Sequence, residues 1–224
     1  MEALMLAALK VREKLFYSSS LALKILLTGF LLGIVMWIAV NGLESSVIIS
    51  PTCSELHLRT LSEEEYYAFN ASGDYDEYWE RSTFRGKISQ SLLNLKHLKC
   101  LDLSNNNFEG IHIPKFLGSM KSLRYLNFSG AGFGGMIPHQ LGNLSNLQYL
   151  NLEGDGYYEI YVENLDWLSS LSSLEFLDLS SVNLSKALDW LDAMNKLPSL
   201  VELHLSYCSL SHKLDFSHSN FDFS

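Results

Sequence analysis

A short leucine pattern constrains the fold of this 224-residue chain more than any other feature. It is first complete at residues 98–108, LKCLDLSNNNF, with leucine at Leu98, Leu101 and Leu103, asparagine at Asn106 and phenylalanine at Phe108. Four further copies, spaced 24 to 27 residues apart, begin at Leu123, Leu147, Leu174 and Leu200. Five copies in one register indicate a repeated structural unit rather than unrelated amphipathic segments.

The x-L-x-L segment of each copy predicts a short β-strand. Successive side chains of a strand point to opposite faces, so the leucines point inward and the residues between them point outward. One copy cannot bury its leucines alone. Neighbouring copies must therefore stack around a shared apolar core, with their strands in one parallel sheet. The 47% hydrophobic content supports such a core.

The residues between the strands predict turns and short helical pieces. Gly135-Met136-Ile137-Pro138 shows the fullest form of this connecting half, and proline blocks a long helix there. Longer units have room for a helical turn, since Leu165, Leu168 and Leu171 have helix-like spacing.

In its full form, L-x-x-L-x-L-S-x-N-x-F-x-G-x-I-P-x-x-L-G-x-L, the repeat resembles the plant extracellular type of leucine-rich repeat. Residues 84–210 are similar to plant receptor-like proteins of the disease-resistance class, through segments such as IPHQLGNLSNLQYLNL and LPSLVELHLSYCSL. Those proteins resemble receptor kinases that lack the kinase. The resemblance implies an α/β leucine-rich-repeat solenoid, with one parallel β-sheet on the concave face and turns, 3-10 and short helical pieces on the convex face.

An uncharged apolar run at residues 25–40, ILLTGFLLGIVMWIAV, precedes the repeats and predicts an N-terminal hydrophobic helix. Basic residues before the run, with Glu44 and Glu55 as the first charges after it, favour a cytosolic N-terminus. Residues 1–42 are either a signal peptide cleaved after Gly42 or an uncleaved signal anchor, and a buried core helix is a third interpretation. The first two place the following residues outside the cytosol.

Residues 43–83 are expected to contain a first strand around Glu55–Arg59 and an acidic, aromatic insertion. The insertion, residues 62–80, carries seven carboxylates and six aromatic rings without a lysine or arginine. A solvated acidic loop is the simpler interpretation, and a docking loop for a basic partner is the alternative. Residues 84–224 are predicted to hold the five repeat units, of which the last is incomplete.

Four N-x-S triplets follow the apolar run and predict N-glycosylation in the secretory pathway. Their asparagines are Asn70, Asn127, Asn143 and Asn183.

The composition and motifs argue against several functions. A net charge of −9 disfavours nucleic acid, whose phosphates require a basic surface. The seven histidines and three cysteines lack metal-ligand spacing, so we expect no metal. The glycines of residues 130–135 fit G-x-G-x-x-G, but Pro138 follows where a nucleotide site requires a helix. We therefore expect that the protein has no cofactor and no catalytic activity, and that its function is to bind a ligand.

Outward positions of the strands form rows across the concave face. We predict ligand binding by aromatic, polar and charged side chains in these rows, a combination that suits a peptide or protein ligand. The predicted residues are Asp102, Tyr125, Asn127, Tyr149, Asn151, Glu153, Phe176, Asp178, Glu202 and His204.

Three functional hypotheses follow. The first is the ligand-recognition portion of a cell-surface immune or developmental receptor-like protein, on the extracellular side of the plasma membrane or secreted if the leader is cleaved and no later span exists. The resemblance also implies a co-receptor kinase as a partner. The second is a secreted inhibitor of pathogen cell-wall-degrading enzymes, resembling polygalacturonase-inhibiting proteins. The third is a non-functional, truncated receptor fragment, since the chain resembles the N-terminal portion of a receptor.

Overall fold

The computed structural model describes residues 34–40, 43–49, 54–69, 74–188 and 190–210. The apolar residues 25–33, the proposed cleavage site after Gly42 and the predicted glycosylation site Asn70 lie outside these ranges.

Six parallel strands form the main sheet, and they confirm the predicted solenoid. Apart from the first and last strands, each strand lies between the strands of the preceding and following repeat units. The strands are β3 (Glu55–His57), β4 (Cys100–Asp102), β5 (Tyr125–Asn127), β7 (Tyr149–Asn151), β9 (Phe176–Asp178) and β10 (Glu202–His204).

The leucines between the outward positions build the core. The central leucines of four successive strands are fully buried, namely Leu101, Leu126, Leu150 and Leu177. They occupy equivalent positions in the register, so each packs against its counterparts one unit before and after. Stacking of this kind gives a continuous core that no single unit could form.

The convex side consists of short helical pieces, as predicted. Within the described ranges it comprises four 3-10 helices and one α-helix, which are Gln90–Asn94, Lys115–Ser119, His139–Asn143, Asp166–Ser170 and α3 (Trp190–Asn195).

The glycines of the L-G-x-L motif allow these pieces to stack closely. A Cβ atom added at Gly118 would collide with the Gln140 carbonyl, and one at Gly142 would collide with the Trp167 carbonyl. Each of the two glycines thus provides space for the backbone of the next unit.

A second, smaller parallel sheet lies beside the main one, so the prediction of a single sheet is incomplete. It pairs β6 (Gly135–Met136) with β8 (Ile160–Tyr161), and Tyr161 bridges onward to Asn183. Gly135 has a φ of 74°, a conformation that glycine adopts without steric cost. The connecting halves therefore pair from unit to unit as the strands do.

The acidic insertion is helical rather than the loop that its composition suggested. It contains α1 (Glu63–Phe69) and α2 (Tyr75–Ser82). Ser62 and Glu65 form a reciprocal capping box at α1, and Asp74 caps α2 by accepting from two backbone N–H groups. The rings of Tyr66 and Tyr78 stack with centroids 4.8 Å apart.

Part of the expected N-terminal helix is instead a strand. β1 (Ile34–Val40) pairs antiparallel with β2 (Leu43–Ile49). The sequence of β1, IVMWIAV, is rich in β-branched residues and contains a tryptophan, types that favour strands. In the ranges that the structure describes, no helix has the length and apolarity needed to cross a membrane.

The asparagine of the leucine pattern stabilises the first complete unit. The buried Asn106 amide nitrogen donates to the carbonyl oxygens of Leu58, at 2.8 Å, and Leu103, at 2.7 Å. Its oxygen accepts from the Phe84 backbone N–H at 2.8 Å and from the Thr60 hydroxyl at 3.3 Å. The side chain thus connects the segments that follow two neighbouring strands with Phe84, which follows the insertion.

Later units fill this position differently. Ala131 and Val182 are buried there without a polar side-chain group, whereas the Cys208 thiol donates to the Leu179 carbonyl at 3.0 Å. Asp155 instead accepts from backbone N–H groups of its own loop. In the described repeats, an asparagine therefore bonds the neighbouring backbone from this position only in the first complete unit.

We predict that Asn106→Ala lowers the free energy of unfolding by about 2–4 kcal/mol, because it removes the amide that bonds the Leu58 and Leu103 carbonyls and the Phe84 N–H in a largely buried site. The neighbouring change Asn107→Ala is a matched control. Asn107 accepts one exposed bond from the Glu109 N–H, so its loss should cost less than about 1 kcal/mol. Urea unfolding of the two variants measures the difference, and equal losses would contradict this role of Asn106.

Candidate functional site

The strand register brings the predicted site residues into two rows on the concave face. In the first row Cys100 pairs with Tyr125, Tyr125 with Tyr149, Tyr149 with Phe176, and Phe176 with Glu202. Two residues further along each strand, a second row comprises Asp102, Asn127, Asn151, Asp178 and His204.

The three rings of the first row, Tyr125, Tyr149 and Phe176, are called here the aromatic row. Tyr125 and Tyr149 stack with centroids 4.2 Å apart and planes 11° apart. Tyr149 and Phe176 stack at 4.2 Å and 6°. All three rings are half-buried, so the stack is fixed by its neighbours while part of each ring remains open. Burial, followed by the charge of Tyr149, raises the pKa of Tyr125 well above its usual range.

The second row has a structural role that the sequence analysis did not predict. Asp102, Asn151 and Asp178 are buried, and Asn127 is half-buried. Each directs one side-chain oxygen to the backbone N–H two residues later, closing the turn after its strand; the donors are Ser104, Ser129, Glu153 and Ser180. The Asn151 amide also donates to Asp178 at 3.2 Å. Ligand contacts by this row stay a prediction.

One end of the aromatic row is acidic. The His204 ring lies 5.3 Å from Phe176, and its Nε2 is 2.6 Å from a Glu202 carboxylate oxygen. Glu153 follows β7 on the same face. Burial, and next the nearby carboxylate of Asp178, raise the pKa of Glu153, while His204 opposes this rise.

The opposite end carries residues that were not included in the predicted site. His57 Nε2 lies 3.6 Å from the Cys100 sulfur, and His57 Nδ1 lies 3.7 Å from an Asp102 oxygen. Arg59 donates two bonds to Glu65, at 2.7 and 2.8 Å. The x-L-x-L pattern of residues 55–59 predicted this strand, and continuing the rows onto it would have revealed both side chains.

This end does not have the geometry of a catalytic triad. A nucleophile requires a base that is itself oriented by a hydrogen bond, and 3.7 Å between Nδ1 and the carboxylate is too long for one. Within the described ranges, no group of three or more potential ligands could hold a metal ion.

Three of the predicted glycosylation sites lie in different settings. Asn127 is on the concave face, where its amide donates to the Tyr125 hydroxyl at 3.3 Å. Asn143 is exposed at the end of a convex 3-10 helix. Asn183 follows the second sheet, with its side chain half-buried.

Comparison with known proteins agrees with this architecture. Residues 96–156 match the family described as Leucine rich repeat. The chain is 52% identical over 126 residues to Receptor-like protein EIX1 of Solanum lycopersicum, and 51% identical over 126 residues to Receptor-like protein EIX2 of the same organism. Residues 96–156 are thus leucine-rich repeats, and over 126 residues the chain is similar to plant receptor-like proteins. Each alignment covers 56% of this chain and 12% of the relative, so the chain spans a small part of the receptor-like proteins it matches.

Solved structures of similar proteins include plant receptor ectodomains. A TDR receptor has a TM-score of 0.46 at 29% identity, over 55% of this chain and 20% of that one. The leucine-rich-repeat ectodomain of the receptor kinase SOBIR1 from Arabidopsis thaliana has a TM-score of 0.49 at 21% identity, over 80% and 81%.

We predict that Glu153→Gln stabilises the protein slightly at pH 7, by less than about 0.5 kcal/mol after solvent screening. A carboxyl whose pKa is raised in the folded state destabilises that state, because folding disfavours its charged form. The loss of stability grows as pH rises from the unfolded pKa to the folded pKa and is complete above both. Below the unfolded pKa of about 4.3 both side chains are neutral, so the gain should vanish. Urea unfolding at pH 7 and at about pH 3.5 tests this, and a gain that persists at the lower pH contradicts it.

Proposed function

We propose that the described repeats form the ligand-recognition portion of a cell-surface receptor-like protein and bind an extracellular peptide or protein without catalysis. The aromatic row is the observation that carries this proposal. The relatives are receptor-like proteins by name, which agrees with such a role.

The aromatic row is suited to anchor a ligand. Its rings are held at 4.2 Å by the sheet register, so little side-chain freedom is lost when a ligand binds. Large, partly open aromatic side chains at the centre of an interface commonly contribute most of its binding energy.

Charges at the two ends favour a ligand of definite polarity. Arg124, which precedes Tyr125 in the chain, is exposed; Glu175, which precedes Phe176, and Glu202, the register partner of Phe176, are exposed as well. A peptide with an apolar centre, an acidic group toward Arg124 and a basic group toward Glu202 would complement this face. Such complementarity orients a ligand and raises its association rate more than it raises affinity.

The same proposal assigns a role to each of the three segments of the chain. Residues 1–42 direct the chain to the secretory pathway, residues 43–83 provide the first strand and the helical insertion, and residues 84–224 provide the repeats. The ligand-binding face then lies on the extracellular side of the plasma membrane, and a co-receptor kinase is the partner implied by the family resemblance.

Substitution of the aromatic row tests the proposal. The full chain is used to probe an array of synthetic peptides, and the affinity of the selected peptides is measured by calorimetry. We expect the triple variant Tyr125→Ala, Tyr149→Ala and Phe176→Ala to weaken binding at least about tenfold, because anchoring aromatics typically contribute more than about 1 kcal/mol each.

Tyr157→Ala provides a matched control, since this tyrosine is 91% exposed and lies outside both rows. Circular dichroism establishes that the variants remain folded. Equal affinity of a folded triple variant and the Tyr157→Ala control would remove this face as the binding site, and failure of every peptide to bind would argue against peptide recognition.

A further inference from the structure

A surface cavity lies beside the second sheet, away from the aromatic row. Its volume is about 200 Å³, several times the ~30 Å³ share of one water molecule. It is lined by Glu159, Tyr161, Val162, Asn183, Ser185 and Lys186. Asn183 and Ser185 are the first and third residues of an N-x-S triplet, so the acceptor of a glycan forms part of the cavity wall.

The backbone and side chain of Asn183 are both held in place. Its N–H donates to the Ile160 carbonyl at 2.8 Å, and its own carbonyl accepts from the Val162 N–H at 3.3 Å. The side-chain oxygen accepts from the Ser185 N–H at 3.0 Å, and the side-chain nitrogen donates to a Glu159 oxygen at 2.8 Å. The amide therefore has a fixed orientation within the cavity wall.

Both side-chain hydrogen bonds are compatible with N-glycosylation. An asparagine amide has one acceptor oxygen and two N–H donors. Transfer from a pyrophosphate-linked lipid donor forms a bond from Nδ2 to C1 of N-acetylglucosamine and breaks the C1–O bond to pyrophosphate. One amide proton is released. The carbonyl and one N–H remain, which are the groups needed for the bonds with Ser185 and Glu159.

The other cavity walls suit a sugar ring. The half-buried Tyr161 ring offers an apolar face for the C–H groups of the sugar, as aromatic rings commonly do for ligands with one apolar side. The exposed Lys186 ammonium lies 5.7 Å from the centre of that ring and can donate to a sugar hydroxyl or acetamide oxygen. The exposed Glu159 carboxylate can accept from a hydroxyl.

The other described acceptors have different surroundings. Asn127 lies in the middle of the main sheet, with Asp102 and Asn151 as its register partners, and a glycan there would cover the concave face. Asn143 is exposed on the convex side. Asn183 thus combines an oriented amide with a cavity for the attached sugar.

We propose that Asn183 carries an N-linked glycan whose first N-acetylglucosamine lies in this cavity, against Tyr161 and beside Lys186, and stabilises the second sheet. The proposal rests on the extracellular placement inferred above. It adds a stabilising role for one particular glycan to the ligand recognition assigned to the concave face.

Two serine substitutions test the proposal without changing an asparagine. Ser185→Ala abolishes the Asn183 acceptor but keeps the Asn183 amide beside Glu159, and Ser145→Ala does the same for the exposed Asn143. The full chain is expressed in plant cells with a mannosidase inhibitor, and site occupancy is mapped by mass spectrometry. We expect Asn183 to be occupied, and Ser185→Ala to lower Tm by about 2–4 °C while Ser145→Ala leaves it within about 1 °C.

Removal of the outer sugars shows which part of the glycan stabilises the protein. An endoglycosidase that leaves one N-acetylglucosamine on each asparagine should preserve the Tm of the protein, because only the first sugar lies in the cavity. In a Tyr161→Ala background, Ser185→Ala should no longer lower Tm, since the ring that holds the sugar is absent.

The outcomes separate this proposal from the proposed function. Occupancy at Asn143 with none at Asn183, or equal Tm values for the two serine variants, overturns the Asn183 proposal alone. Absence of glycans at every triplet contradicts the extracellular placement as well. A Tm that falls on trimming to one sugar shows that the outer glycan stabilises the protein, and this also overturns the proposal.

Discussion

Backbone hydrogen bonds between neighbouring units hold the strands of the main sheet in a single register. The N–H of Leu103 donates to the Asn127 carbonyl at 2.9 Å, and the corresponding atoms of Phe128 and Asn151 are also 2.9 Å apart. With a side-chain period of two, a slip of one residue would turn every buried leucine to solvent. Burial of the leucines and hydrogen bonding of the strands therefore enforce the same alignment, and the aromatic row is a consequence of it.

The strands and their register could be predicted from the sequence, because the leucine positions repeat regularly and each leucine must be buried. Leu126 and Leu150 are fully buried as their positions require, and Tyr125 and Tyr149 are neighbours because their units share a register. The sequence could not show how much of each outward side chain is exposed to solvent. Asp178 is outward by position, yet its carboxylate closes the following turn and is buried.

Other features were missed because their signals are local or because the partners lie far apart in sequence. Ser62 and Glu65 form a capping box that predicts a helix, but the acidic composition around them favoured a loop interpretation. The pairing of Met136 with Tyr161 joins two short segments that have no leucine period. The bridge from Tyr161 onward to Asn183 places Asn183 beside a cavity, a setting that the N-x-S triplet alone does not reveal.

Detection of scalar couplings across individual hydrogen bonds would test the register most directly, using deuterated, isotope-labelled protein and solution NMR. We expect couplings from the amide nitrogens of Leu103, Phe128, Leu152 and Leu179 to the carbonyl carbons of Asn127, Asn151, Asp178 and His204, respectively, because these groups are hydrogen-bonded at 2.9 to 3.0 Å. Couplings displaced by one residue along any of these strands would contradict the shared register and the aromatic row that depends on it.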